Sequence, residues 1–208
     1  MRYAGVAAVG TLWTCVGAGM YLAGLGFLDE RPVSYLGTDP RTTLLFRGGL
    51  VVAALLVAGF AFYIRDRFRA PDSFLAATLI GLVGQIVAAL VPLEGHGIGR
   101  DVHVVGGIVL GLSLPVLMWR FAAGPEPGRR RVASYALCWL EVAACVVGIG
   151  LSMSGKAPIA EIVPALGFHL WIVVVTVWSG PIESGLASAT GAERVGGGED
   201  FERPGRSH

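Results

Sequence analysis

Long apolar runs, rather than alternating apolar and polar positions, organise this chain. Six runs of about twenty residues follow one another, which is the length an α-helix needs to cross the hydrocarbon core of a bilayer. Their continuity argues against the alternating strands of a membrane β-barrel. The predicted spans are Ala4 to Leu28, Leu45 to Ile64, Phe74 to Leu93, His103 to Ala123, Val132 to Met153 and Val163 to Ile182. We therefore predict an all-α, multi-pass protein of the cell membrane, a bundle of six transmembrane helices.

Composition and charge agree with this prediction. Of the 208 residues, 54% are hydrophobic and 15% are charged, whereas a soluble domain carries about 25% charged residues. The formal net charge of +1 gives no sign of a nucleic-acid partner. Of the 16 Lys and Arg residues, 11 fall on the side of the two termini, so the positive-inside rule predicts both termini in the cytoplasm. Residues 1–182 form the predicted transmembrane domain, and 183–208 a disordered cytoplasmic tail.

One carboxyl group lies deep within a predicted span. Glu141 is about ten residues into the fifth run, and an ionisable side chain at that depth indicates function by default. Cys138 and Cys145 share its helix face at heptad-like spacing. Two interpretations stay open for Glu141: a general acid inside the bundle, or a structural hydrogen bond, for example to Gln85 in the third run.

Three histidines fall on the same predicted side of the membrane. His96 lies in the connection after the third run, His103 opens the fourth run, and His169 lies about two turns into the sixth. Glu94 and Asp101 flank the first two histidines. The set fits a zinc site with an open coordination position, a proton-transfer or hydrogen-bonded site, or solvated loop residues.

Several further residues are candidates for contact with a substrate. The first outside loop, residues 29–43, contains two prolines and a central glycine and is predicted to cap the bundle. Arg47 follows it, and either snorkels to the surface or pairs with Asp39 or Glu94. Aromatic residues within the spans line a lipid or isoprenoid pocket or face lipid. The candidate substrate-binding residues are Ser34, Tyr35, Arg47, Gln85, Trp139, Phe168 and Trp171.

Glycine makes up 31 of the residues. Small residues in membrane helices allow two backbones to approach closely. We expect this packing role for the glycines of the third and fourth runs, namely Gly81, Gly84, Gly106, Gly107 and Gly111.

Short motifs resemble those of a known family. Ser34-Tyr35-Leu36-Gly37 resembles the Ser-x-Leu-Gly signature of the bacterial membrane proteins catalogued as domain of unknown function 998. The segment 91–94 resembles that family's Phe-Pro-x-Asp stretch, with Val91 and Glu94 in place of Phe and Asp. His103 resembles the histidine that opens the family's fourth helix. The resemblance implies six helices over nearly the whole chain and no settled activity.

Three functions from different classes fit these observations. The first is an enzyme that acts by acid–base chemistry on a lipid-soluble, isoprenoid-like substrate, most concretely a protonation-initiated membrane terpene cyclase without a cofactor. Glu94 or Glu141 is the acid, and His103, Asp101 or His169 orients it or takes the final proton. The second is a zinc-dependent lipid hydrolase of ceramidase-like type, with His96, His103 and His169 as ligands. The third is a lipid-binding or transport-accessory protein without catalysis.

Overall fold

The structure, a computed structural model, describes residues 1–91, 93, 97–124 and 128–180. Glu94, His96 and the predicted tail 183–208 therefore lie outside the described residues. The described chain contains a short 3-10 helix, Val33–Gly37, and six α-helices, each long and apolar enough to cross a membrane. These helices are α1 Ala4–Ala23, α2 Thr43–Phe68, α3 Asp72–Leu90, α4 Ile98–Ala123, α5 Arg129–Met153 and α6 Ala157–Trp178. The predicted all-α, six-helix architecture is confirmed.

The helix boundaries differ most from the prediction at α6. The predicted span began at Val163, but the helix begins at Ala157, with Pro158 in its first turn. Proline is tolerated there because the first N–H groups of a helix have no partner within it. The earlier start brings Glu161 into the helix. It also places His169 about 18 Å from the helix start, at 1.5 Å per residue, deeper than the two turns expected.

The first helix is shorter than its apolar run. It ends at Ala23 rather than near Leu28, because Gly24 adopts a left-handed conformation with φ of 63°. Its N–H then bonds to the carbonyls of Met20 and Tyr21. This is a common glycine C-cap.

The six helices contact one another in a ring. Each packs against its neighbours in the chain, and α6 closes back on α1. The 3-10 helix packs against α1, α2, α3 and α6, at the end of the bundle that carries residues 24–42 and where α2, α4 and α6 begin. We call this end the loop face. Large apolar side chains on the outside of the ring are exposed, as expected for surfaces that contact lipid; examples are Leu55, Val83, Ile108, Val146 and Val177.

The backbones of α3 and α4 approach each other closely. A Cβ atom on Gly84 would lie 2.7 Å from the carbonyl oxygen of Gly106, and one on Gly106 would lie 2.9 Å from that of Gly84. A Cβ on Gly81 would collide with the Ser113 hydroxyl. The packing role predicted for these three glycines is confirmed. The same prediction is wrong for Gly107 and Gly111, since a Cβ at either position would meet no atom within 4 Å.

Gly84→Ala should therefore destabilise the protein, whereas Gly107→Ala should not. The methyl group at residue 84 forces two backbones apart, and overpacking of this kind costs about 1–3 kcal/mol. Thermal unfolding in detergent, followed by tryptophan fluorescence, measures the difference. Equal melting temperatures for the two variants would show that the α3–α4 contact tolerates separation.

Candidate functional site

An apolar cavity of about 340 Å³ lies within the ring of helices. Its volume is within the range of small-molecule pockets. The described wall comes from α1, α2, α3, α4, α6 and the 3-10 helix, and α5 contributes none of it. The wall is mainly aliphatic and aromatic, and includes Leu12, Val16, Phe46, Leu50, Val57, Leu110, Leu114, Ile162 and Phe168. A molecule held here would contact few polar groups.

Glu161 lines the cavity near the loop face. It belongs to the second turn of α6, and its two carboxylate oxygens accept hydrogen bonds from Ser34. The backbone N–H of Ser34 donates at 3.0 Å and its Oγ–H at 3.1 Å. His103 is near enough to interact electrostatically with the same carboxylate. Glu161 remains exposed despite these contacts, so the cavity holds an accessible carboxyl group in a defined orientation.

His169 also lines the cavity. The indole N–H of Trp13 donates to its Nδ1 at 3.0 Å, and the two rings meet edge to face at 5.6 Å. An indole nitrogen only donates hydrogen bonds, so Nδ1 is the acceptor and the neutral imidazole carries its proton on Nε2. Among the described residues nothing accepts a hydrogen bond from that N–H. The contact with Trp13 thus leaves His169 as a free donor.

Glu161 and His169 lie on the same face of α6. They are eight residues apart, which corresponds to about 12 Å along the helix axis. Ala165 and Phe168, which lie between them on that face, also line the cavity. The cavity therefore has a carboxyl group near the loop face, an imidazole deeper in the bundle, and an apolar wall between them.

Three further residues of the cavity wall are Gln85, Gly107 and Gly111. Gln85 donates from Nε2 to the carbonyl of Leu50 at 2.9 Å. Gln85 therefore does not form the hydrogen bond to Glu141 that the sequence suggested as a structural role for Glu141. Gly107 and Gly111 lie on the α4 side of the cavity. Because they lack side chains, they leave this part of the wall open.

A family model described as "Protein of unknown function (DUF998)" matches residues 6–179. The chain belongs to the DUF998 family. No curated protein and no solved structure matches it. The membership agrees with the resemblance carried by the Ser34 motif and His103. The Ser34 motif of this DUF998 protein supplies a direct partner of Glu161.

Three of the seven predicted substrate-binding residues line the cavity: Ser34, Gln85 and Phe168. The other four do not. Tyr35 lies beside the Arg31 guanidinium, and Arg47 bonds to the carbonyl of Gly37. Trp139 is 61% exposed on the outside of the bundle. Trp171 is buried in an aromatic cluster with Phe74, Phe121 and Phe168.

Two of the predicted acid–base residues lie near the start of α4. His103 is buried, and its Nδ1 lies 2.7 Å from the carbonyl oxygen of Val91, which ties the start of α4 to the end of α3. Asp101 is exposed in the first turn. Neither lines the cavity. Within residues 1–91, 93, 97–124 and 128–180, no three His, Cys, Asp or Glu side chains are grouped as metal ligands would be.

Glu141 is fully buried between α5 and α6, apart from the cavity. Its Oε1 accepts a weak hydrogen bond from the Cys145 thiol at 3.6 Å. Its Oε2 packs against Gly167, and in the described part of the chain this oxygen has no hydrogen-bond partner. A buried carboxyl oxygen without a donor is costly. The geometry of this DUF998 protein thus gives Glu141 a tight steric setting and no access to a ligand in the cavity.

Two residues of the site were missed at the sequence level. Glu161 lies just before the sixth predicted span, which begins at Val163, although the positions 161, 165 and 168 have the spacing of one helix face. Trp13 was placed within a span but not paired with His169. For Glu161, the available signal was Pro158, which marks the first turn of a helix that already includes it.

Gly167→Ala is expected to lower stability through a clash with the Glu141 carboxylate. Overpacking at such a contact costs about 1–3 kcal/mol. The double variant Glu141→Ala/Gly167→Ala should lose less than the sum of its parts, because the first change removes the atom that clashes. Gly150→Ala is the control, since a Cβ there meets no neighbour within 4 Å. Additive losses in thermal unfolding would show that the two residues are not in contact.

Proposed function

We propose that this protein is a small integral membrane enzyme that acts by acid–base chemistry on a lipid-soluble, isoprenoid-like substrate in the central cavity. The observation that carries the proposal is the placement of Glu161. It is an accessible carboxyl group, held by two hydrogen bonds, at one end of a cavity whose other walls are mainly apolar. An ionisable group on a membrane helix that faces a cavity marks a functional site by default.

Glu161 takes the role of acid–base group in this proposal. The sequence alone suggested Glu94 or Glu141 for it. Glu94 lies outside the described residues, and Glu141 does not line the cavity. Ser34 is a positioning residue, because its two hydrogen bonds orient the carboxyl group toward one part of the cavity. Orientation of a proton donor or acceptor is a large part of its catalytic effect.

His169 and the aromatic wall complete the proposed site. The Nε2–H of His169 is a donor for a polar group of the substrate, such as an epoxide or hydroxyl oxygen. Trp13, Phe46 and Phe168 offer π faces that stabilise a positive charge. His169, Trp13 and Phe168 contact the part of the substrate that lies deeper than Glu161, and Phe46 lies near the loop face.

A protonation-initiated cyclisation is the most concrete form of this reaction. The Glu161 carboxyl group gives its proton to an alkene carbon or epoxide oxygen, which leaves a carbocation on the substrate. The π electrons of a second alkene then form a ring bond, and a neighbouring carbon returns a proton to the Glu161 carboxylate, which restores the acid. One proton is gained and one is lost, so the product is an isomer of the substrate and no cofactor is consumed.

The two alternatives have less support. Of the three histidines predicted as zinc ligands, His96 lies outside the described residues, and His103 does not line the cavity that contains His169. A lipid-binding protein without catalysis would also use the cavity, but it has no need for a carboxyl group oriented by two hydrogen bonds. The acid–base enzyme and the lipid-binding protein differ in whether the bound lipid is converted to a product.

Glu161→Gln is expected to reduce product formation at least about 100-fold, which is typical for loss of a general acid or base. Membranes that contain equal amounts of folded wild type or variant are incubated with an isoprenoid-rich lipid extract. Chromatography with mass spectrometry then detects isomers formed only by the wild type. Glu30→Gln, an exposed carboxyl change on the loop face, is the control and should keep activity. Conversion by neither protein, with the same lipid bound to both, would overturn the enzyme proposal in favour of lipid binding.

Gly111→Leu should block the cavity without unfolding the protein. A Cβ at this position meets no atom within 4 Å, so the new side chain extends into the space that a substrate would occupy. We expect co-purified lipid and turnover to fall while the melting temperature is maintained. Gly150→Leu places the same side chain on open helix surface away from the cavity. If both variants retain the same lipid as the wild type, the cavity is not the binding site.

A further inference from the structure

A second concavity lies on the outside of the bundle at the loop face, between α2 and the end of α3. Its volume is about 820 Å³, and it is separate from the central cavity. One end is polar, with Arg47 and the backbone of the loop before α2. The rest of the wall is mainly apolar, and Leu44, Val52 and Leu90 are 87%, 47% and 54% exposed. The groove thus joins a cationic group to a lipid-facing apolar surface.

Arg47 uses only part of its hydrogen-bonding capacity. Its Nε and Nη2 atoms donate to the carbonyl oxygen of Gly37 at 3.2 and 2.8 Å. A guanidinium group has five N–H donors, and within the described chain three of them have no protein acceptor. Both of the N–H groups that form these hydrogen bonds donate to a neutral carbonyl oxygen. The positive charge of Arg47 is therefore not neutralised by this contact.

One of the two counter-ions predicted for Arg47 is already engaged. Asp39 pairs with Arg41 at 2.7 Å, and the hydrogen bond from the Arg41 side chain lowers the pKa of Asp39 to about 2. Asp29 is likewise paired with Arg31. The other partner predicted from the sequence, Glu94, lies outside the described residues. None of the ion pairs in the described chain includes Arg47.

The position of Arg47 adds a second source of positive potential. It is the fifth residue of α2, about 6 Å along the helix from its start. The N-terminal end of a helix carries a partial positive charge. A planar guanidinium group is well suited to a phosphate, because it can donate two parallel hydrogen bonds.

We propose that this groove binds an anionic glycerophospholipid, with its phosphate on Arg47 and one acyl chain along the exposed apolar wall that contains Val52 and Leu90. The charge of Arg47 selects the headgroup, and the continuity of the groove with the lipid-facing surface accommodates the chain. The bound lipid covers the N-terminal end of α2 and the side of α3. The site is separate from the central cavity, so its test does not depend on the proposed enzymatic function.

The test measures binding of phosphatidylglycerol to delipidated full-length protein by native mass spectrometry. Wild type should retain one phosphatidylglycerol in preference to phosphatidylcholine. Arg47→Gln should bind it about tenfold more weakly or worse, because a hydrogen bond to a charged group is lost. The control is Arg100→Gln, which removes the same charge from the first helical turn of α4 on the same face but outside the groove.

A second variant tests the groove without altering Arg47. Gly48 lines it, and a Cβ there meets no atom within 4 Å. Gly48→Leu should therefore preserve the fold and displace the lipid. Retention of phosphatidylglycerol by this variant would overturn the proposal, even if Arg47→Gln fails to fold.

Two further outcomes would contradict the proposal. If Glu94 is the partner of Arg47, wild type will show no preference for phosphatidylglycerol and Glu94→Gln will gain one. If millimolar inorganic phosphate displaces the bound lipid completely, the site recognises a free anion rather than a lipid. We expect phosphate to compete poorly, because the acyl chain contributes apolar contacts that phosphate lacks.

Discussion

A membrane interior offers no water to a polar side chain, and this constraint explains the arrangement of the site. Each ionisable group within the bundle needs a hydrogen-bond partner from the chain itself, because burial without one costs free energy. Glu161 has both hydrogen bonds from Ser34, and His169 has the indole N–H of Trp13. These contacts connect α6 to the 3-10 helix and to α1. The same hydrogen bonds that satisfy the polar groups therefore also close the ring of helices around the cavity.

The six helices were predictable because each is encoded locally by a continuous apolar run. Their ends were less predictable, because hydropathy does not detect a first-turn proline such as Pro158 or a left-handed glycine such as Gly24. The functional site was harder to predict from the sequence than the helices or their ends. Ser34 and Glu161 are 127 positions apart, and their contact depends on how α6 closes on the loop face. Ser34 and His169 were candidates by residue type, but their partners follow from packing that no local pattern reveals.

The glycines show how one residue type has two physical roles on a single helix. On α4, Gly106 faces α3 and allows the backbones to touch, whereas Gly107 faces the cavity and touches nothing. One residue of difference rotates the position by about 100° around the helix, at 3.6 residues per turn. Sequence alone assigns both to packing. The distinction depends on which face of α4 meets α3, and Gly84 supplies that information through its contact with Gly106.

Glu141 and Glu161 illustrate why depth in the membrane is a weak guide to catalysis. Glu141 is near the middle of α5 and fully buried, which made it the outstanding candidate from the sequence. Its surroundings provide one thiol and a glycine backbone, with no room for a ligand. Glu161 lies nearer the loop face, yet it combines an accessible carboxyl group, two fixed donors and a cavity. Acid–base chemistry needs space for a second molecule beside the ionisable group, and only Glu161, of these two, has that space.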